Sequence, residues 1–83
     1  MHSQKKRRLD NLQLFQTHAP LSIADFQQLA KYHSRETARK TVSRYRDEQL
    51  ITFVFYTENK DEVYELSSLG KKYIQELESL KAS

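Results

Sequence analysis

The sequence predicts a small, mainly α domain with one β-hairpin, α+β in class, in the order α-α-α-β-β-α. Three observations predict it. Apolar residues recur at helical spacing in three segments before residue 50, the period changes to two from Leu50 onward, and helical spacing resumes after Ser68. With 83 residues, 30% of them charged and 11% aromatic, the chain can bury one modest core.

Residues 1–8 are polar and basic and are expected to form an N-terminal arm or a frayed helix start, with residues 9–83 as a single domain. Leu9, Leu12 and Phe15, with Leu14 beside them, predict a first helix over roughly 7–17. Pro20 ends it, because proline disfavours helical geometry in the residue before it. Ser22 is placed as an N-cap, with Asp25 three residues on and Leu21 positioned to staple against Phe26. The second helix, about 23–32, is expected to bury Ile23, Phe26, Leu29 and Ala30, with Tyr32 and His33 forming the turn.

The stretch from Ser34 to Ile51 organises the rest. At 100° per residue, Ala38, Val42, Tyr45 and Gln49 share a narrow stripe. Thr37, Lys40, Ser43, Arg44 and Asp47 fall on the opposite side, and Arg39 and Arg46 flank the stripe. Arg35, Arg39, Lys40, Arg44 and Arg46 face a single anion, Glu36, between positions 35 and 46. Either Ser34 or Thr37 caps this helix; a cap at Ser34 puts Glu36 in the first turn, where a carboxylate suits the helix dipole. From Leu50 the chain alternates as a strand, with Ile51, Phe53, Phe55 and Thr57 set against Thr52, Val54, Tyr56 and Glu58. Glu58 to Asp61 is turn chemistry, and 62–66 returns as the second strand. Ser67 or Ser68 caps a last helix over about 68–81, carrying Leu69, Tyr73, Ile74, Leu77 and Leu80.

The formal net charge is +3 and the sequence pI about 9.3, but the distribution says more than the total. Lys5, Lys6, Arg7 and Arg8 together with Arg35, Arg39, Lys40, Arg44 and Arg46 hold nine of the fourteen Lys and Arg. Clustered positive charge makes a local footprint for phosphates. A helix that buries one side and shows cations and short hydroxyls on the other suits a DNA groove, although cation-rich helix faces are also common as plain solvated surface. The basic arm would act by counterion release or by lying in a minor groove.

Other chemistries find little support. The chain has no cysteine, which removes disulfides and thiolate metal sites and agrees with a cytoplasmic location. No apolar run approaches the roughly 20 residues needed to span a bilayer, and MHSQKKRRLDN has no apolar segment after its positive start, so it is not read as a secretory signal. His2, His18 and His33 are isolated, without ligand spacing. The acidic turn lacks the spacing and glycine of a calcium loop. The only glycine, Gly70, cannot make a phosphate loop. The chain is expected to be no enzyme and to need no metal or cofactor.

Several local patterns resemble the winged helix-turn-helix domain of small MarR-, PadR- and ArsR-like bacterial, phage or plasmid regulators, over roughly residues 9–80. LSIADFQQLAKY at 21–32 is similar to the family's capped helix ending in Leu-Ala. Thr41-Val42-Ser43-Arg44 followed by Asp47 to Ile51 looks like its recognition-helix core, and Tyr64-Glu65-Leu66-Ser67-Ser68-Leu69-Gly70 like its "Y-x-L-T-x-x-G" segment after the wing. Gln49 stands where the family usually has glycine. The resemblance implies sequence-specific binding of double-stranded DNA, with a transcriptional repressor the expected function. Helix 34–48 would lie in the major groove, with Thr37, Lys40, Ser43 and Arg44 facing the groove, Arg39 and Arg46 reaching phosphates, and Arg35 also among the DNA-binding residues. Lys60, at the hairpin tip, would touch the adjacent backbone, although Glu58, Asp61 and Glu62 around it are repelled by phosphates. Tyr73, Ile74, Leu77 and Leu80 form a stripe that either covers the domain's own core or pairs with its copy in a homodimer. Two alternatives remain from sequence: a protein-interaction module on the same fold, binding a partner through Phe53, Phe55 and Tyr56, and a replication, recombination or conjugation accessory factor.

Overall fold

A computed structural model describes residues 2–82, with side chains described over 6–80; Met1, Ser83 and the Lys5 side chain lie outside the described residues. The elements are α1 (His2–His18), β1 (Leu21–Ser22), α2 (Ile23–Leu29), α3 (Arg35–Asp47), β2 (Ile51–Tyr56), β3 (Glu62–Leu66) and α4 (Ser68–Ala82). The protein is thus α+β, with four helices and a three-stranded antiparallel sheet ordered β1-β3-β2. The four expected helices and the hairpin are present in the expected order. The third strand is an addition: Leu21 pairs with Tyr64 and Ser22 with Val63, so the two residues that lead into α2 also extend the sheet.

Three of the four helix starts have a local cause in the sequence. Ser22 Oγ accepts from the Asp25 amide at 3.0 Å, and Ser34 Oγ accepts from the Thr37 amide at 3.1 Å, so Ser34 is the cap of α3 and Thr37 lies inside its first turn. Ser67 Oγ accepts from the Gly70 amide and donates to the Gln49 carbonyl, which makes Ser67 the cap of α4 and ties it to the end of α3.

The ends of α2 and α3 share one device. Leu50 N–H donates to the Tyr45 carbonyl and Gln49 N–H to Arg46, with Gln49 in the left-handed region at φ 64°. Tyr32 N–H donates to Gln27 and Lys31 N–H to Gln28, with Lys31 at φ 61°. Both are Schellman closures, in which the left-handed residue is usually glycine. In the α3 closure Gln49 takes this geometry without being glycine. Gly70 is required for a different reason. A Cβ there would lie 2.1 Å from the Leu50 carbonyl oxygen, so α4 crosses the strand start at a distance that only glycine allows.

The core gathers Leu9, Leu12 and Phe15 of α1, Ile23 and Phe26 of α2, Ala38, Val42 and Tyr45 of α3, Ile51, Tyr64 and Leu66 of the sheet, and Ile74 of α4. Phe15 stacks on Phe26 with ring centroids 5.1 Å apart. Burying each large apolar side chain contributes about 1.5–3 kcal/mol, offset by the entropy of ordering it.

One expectation needs correction and two open alternatives are resolved. Leu29 is 40% exposed rather than buried, because α2 ends there and Tyr32 folds back from the turn onto Phe26. Residues 2–8 are not a separate arm but the first two turns of α1, held by contacts described below. The α4 stripe serves its own domain: Ile74 is fully buried, and Tyr73 and Leu77 pack against the core. That leaves Leu80 and Leu69 exposed and removes most of the surface expected for dimerisation through α4.

Candidate nucleic-acid interface

Helix α3 is built so that one side is fixed and the other is presented. Ala38, Val42 and Tyr45 are buried, while Thr37, Arg39, Lys40, Arg44 and Asp47 are exposed and Ser43 is half-buried beside them. Arg39, Lys40, Ser43, Arg44, Asp47 and Glu48 line an open depression of about 480 Å³ along the helix. Thr41 turns its hydroxyl back to the Thr37 carbonyl at 3.0 Å and does not join that face.

The five cations of this segment have different fates. Arg39 and Arg44 have no ion pair among the described residues. Lys40 stands 3.6 Å from Glu36 one turn earlier, an exposed pair of the kind that contributes little and exchanges readily. Arg35, by contrast, is drawn toward the hairpin, where it donates to Asp61 at 2.6 Å. Arg46 bends toward the sheet, donating to the Tyr64 hydroxyl at 3.3 Å and lying 3.6 Å from Asp47. The Tyr64 hydroxyl holds the Arg46 guanidinium above its ordinary pKa, and Tyr64 itself donates to Glu62 at 2.8 Å. The α3 cations and hydroxyls that point outward are therefore Thr37, Arg39, Lys40, Ser43 and Arg44, alongside the exposed acids Glu36 and Asp47, with Arg35 and Arg46 set at the margins.

Asp61 is the residue whose role the sequence hid. It is only 8% exposed; one carboxylate oxygen accepts from the Ala24 amide at 2.9 Å, the other from Arg35. Its own amide donates to Thr57 Oγ1 at 3.1 Å. Asp61 thus locks the hairpin turn to the start of α2 and the start of α3. At the tip, Thr57 N–H donates to the Asp61 carbonyl and Lys60 N–H to the Thr57 carbonyl, with Lys60 exposed at φ 62°. Of the acids that surround Lys60 in sequence, Asp61 is turned inward and Glu62 is engaged by Tyr64, so only Glu58 accompanies it at the exposed tip.

The basic start of α1 behaves unlike α3. Arg7 lies 4.5 Å above the Tyr32 ring and donates to the Ala30 carbonyl at 3.2 Å. Arg8 forms a two-pronged pair with Glu48, just after α3, and its guanidinium stands 5.6 Å from the Tyr45 ring and 5.9 Å from the Tyr73 ring. Between them Asn11, 2% exposed, donates to the hydroxyls of Tyr32 at 2.9 Å and Tyr45 at 3.0 Å. The two phenols respond in opposite directions. Burial raises the Tyr45 pKa against the Asn11 hydrogen bond; burial also works to raise Tyr32, but hydrogen bonds from Arg7, Thr41 and Asn11 outweigh it and hold Tyr32 below the usual phenol value. Arg7 and Arg8 thus fix the position of α1 against the α2–α3 pair. Lys6 is exposed.

Sequence reasoning missed Asn11 and Asp61. Asn11 had one legible signal, a polar residue four positions before Phe15 on the stripe that Leu12 and Phe15 define. Asp61 had none, since its partners lie 26 and 37 residues away. Among the described residues, no group of three His, Cys, Asp or Glu side chains is placed to hold a metal, and no helix is long and apolar enough to cross a membrane. Comparison of this chain with protein-family models, with curated proteins and with solved structures finds no match.

Proposed function

We propose that the protein is a winged helix-turn-helix DNA-binding module that places α3 in the major groove of double-stranded DNA and acts as a small transcriptional repressor by occupying its site. The observation that carries this reading is the outward face of α3, where Arg39 and Arg44 have no ion pair among the described residues and stand beside Lys40, Ser43 and Thr37. A helix with side chains is about 10–12 Å across and matches a groove about 12 Å wide. Lys40 and Arg44 suit guanine edges, Ser43 and Thr37 suit bases or backbone, and Arg39 suits phosphate. The short α2 joined to α3 by a five-residue turn closed by backbone hydrogen bonds, and a hairpin following α3, support the same architecture. The inward turn of Asp61, paired with Arg35, supports Lys60 as a backbone contact, because it removes one of the three charges that would oppose it.

A titration against random-sequence duplex and against the DNA upstream of the protein's own coding sequence, each at two salt concentrations, tests the proposal. The expected result is steeply salt-dependent binding with preference for the upstream DNA. Lys40→Ala or Arg44→Ala should weaken specific binding by about 1–3 kcal/mol without loss of fold. Unchanged affinity in both folded variants contradicts the placement of α3.

A further inference from the structure

Arg35 is the first residue of α3, and in a helix-turn-helix the N-terminal residues of the recognition helix are those that contact base edges. Its guanidinium is instead drawn to the hairpin turn, where it donates to Asp61 at 2.6 Å. The two partners are unequally free to move. The Asp61 side chain is 9% exposed, and its other carboxylate oxygen accepts from the Ala24 amide at 2.9 Å. Its backbone is tied to Thr57 twice, by the Asp61 amide to Thr57 Oγ1 and by the Thr57 amide to the Asp61 carbonyl. The Arg35 side chain is 47% exposed and has this one ion pair among the described residues. Asp61 is the fixed end of the pair and Arg35 the movable end.

The carboxylate has two oxygens and two donors, one from the hairpin's neighbour α2 and one from α3. If Arg35 moved to a phosphate, Asp61 would keep its charge in a largely buried position with the Ala24 amide as its remaining donor. Leaving such a charge without its ion partner costs more than one exposed ion pair contributes.

We infer that Asp61 is an affinity-limiting residue: it withholds Arg35 from DNA, so that α3 binds with one phosphate contact fewer than its cations allow. The inference rests on the placement of α3 proposed above and assigns control of that surface to a residue in the hairpin turn.

Asparagine at position 61 isolates the effect. An amide side chain has one acceptor oxygen where a carboxylate has two. The Ala24 amide belongs to the backbone of α2 and keeps that oxygen. The side-chain nitrogen then faces the Arg35 guanidinium, donor against donor, and Arg35 swings out. The bonds to Thr57 use the backbone of residue 61, so the turn and Lys60 stay in place.

The test is the slope of log affinity against log salt for duplex DNA from upstream of the protein's own coding sequence. It is measured for the wild type, Asp61→Asn and Asp61→Asn/Arg35→Ala, each checked for native circular dichroism, with Lys40→Ala and Arg44→Ala as references. Asp61→Asn is expected to bind more tightly, with a slope steeper by about 0.9, the contribution of one added phosphate. The double variant should return to the wild-type slope, because it removes the pair whole. An unchanged slope in Asp61→Asn overturns the inference. So does a gain that persists in the double variant, since it would come from loss of the carboxylate's charge and not from release of Arg35. A double variant with a shallower slope than the wild type also overturns it, because Arg35 would then already meet a phosphate. If Asp61→Asn fails to fold, Arg35→Gln decides: its amide still donates to Asp61 without charge, so the wild-type slope is expected and a shallower one overturns the inference. Weakened binding in the Lys40 and Arg44 references makes any of these failures one of this inference alone. Unchanged affinity in both references overturns the placement of α3, and the inference with it.

Discussion

Two clusters of cations in this protein look alike in sequence and differ in what they do. At the start of α1, Arg7 and Arg8 are engaged by the Tyr32 ring, the Ala30 carbonyl, Glu48 and the Tyr45 and Tyr73 rings. On α3, Arg39, Lys40 and Arg44 have between them one loose pair among the described residues, Lys40 with Glu36. The first cluster lies where aromatic rings and a carboxylate from distant segments converge, so its charge is used in assembly. The second shares its face with Asp47 and Glu48, but those acids are taken up by Arg46 and Arg8, so its charge is not used in assembly. Basic residues are informative about function only after those that hold the structure together have been subtracted.

Substitutions can break or sharpen that distinction. The largest effect is expected from Gly70→Ala. Exchange of a helical glycine for alanine ordinarily stabilises by about 1 kcal/mol; here the new Cβ meets the Leu50 carbonyl, and we expect a loss of about 3 kcal/mol in chemical denaturation. Loss of that packing would loosen the end of α3 and blur the comparison, so this variant is a control for fold-mediated effects. Asp61→Ala comes next: it leaves the Ala24 amide and Arg35 without their acceptor and should cost about 2 kcal/mol. It also frees Arg35, so salt-dependent DNA binding should not weaken in step with stability. Arg8→Ala should lower stability by about 1 kcal/mol through lost packing over Tyr45 and Tyr73 and the lost pair with Glu48, leaving DNA affinity per folded molecule unchanged. The smallest effect is a gain. Gln49→Gly removes a non-glycine residue from the left-handed region while keeping both backbone bonds of the closure, and should raise stability by about 0.5–1 kcal/mol in the same denaturation.

What was legible in the sequence was what is local. The caps at Ser22 and Ser34 act over three residues, and the periodicity of Ala38, Val42 and Tyr45 needs only one helix to be read. The hairpin was legible because its aromatic and β-branched residues flank a polar turn. Strand β1 was not, because two residues carry no period; it exists because Leu21 and Ser22 find Tyr64 and Val63 more than forty positions later. The fates of Arg7, Arg8, Arg35 and Arg46 were hidden for the same reason: their acceptors lie 18 to 40 residues away. The α4 stripe was ambiguous in principle, since a helix face that covers a core and one that pairs with a copy have the same period. The burial of Ile74 decides it for the core.

The most direct measurement is the slope of log affinity against log salt for duplex DNA, taken for Arg39→Ala, Lys40→Ala and Arg44→Ala and for the double variant Arg7→Ala/Arg8→Ala. Each neutralised phosphate contributes about 0.9 to that slope. On this account each α3 variant that loses a phosphate contact lowers the slope by about 1, and the α1 double variant, though less stable, keeps the wild-type slope. A slope reduced by the α1 variant and unchanged in all three α3 variants would contradict the account, because it would mean that the cations engaged by the fold, rather than those left on its surface, meet the DNA.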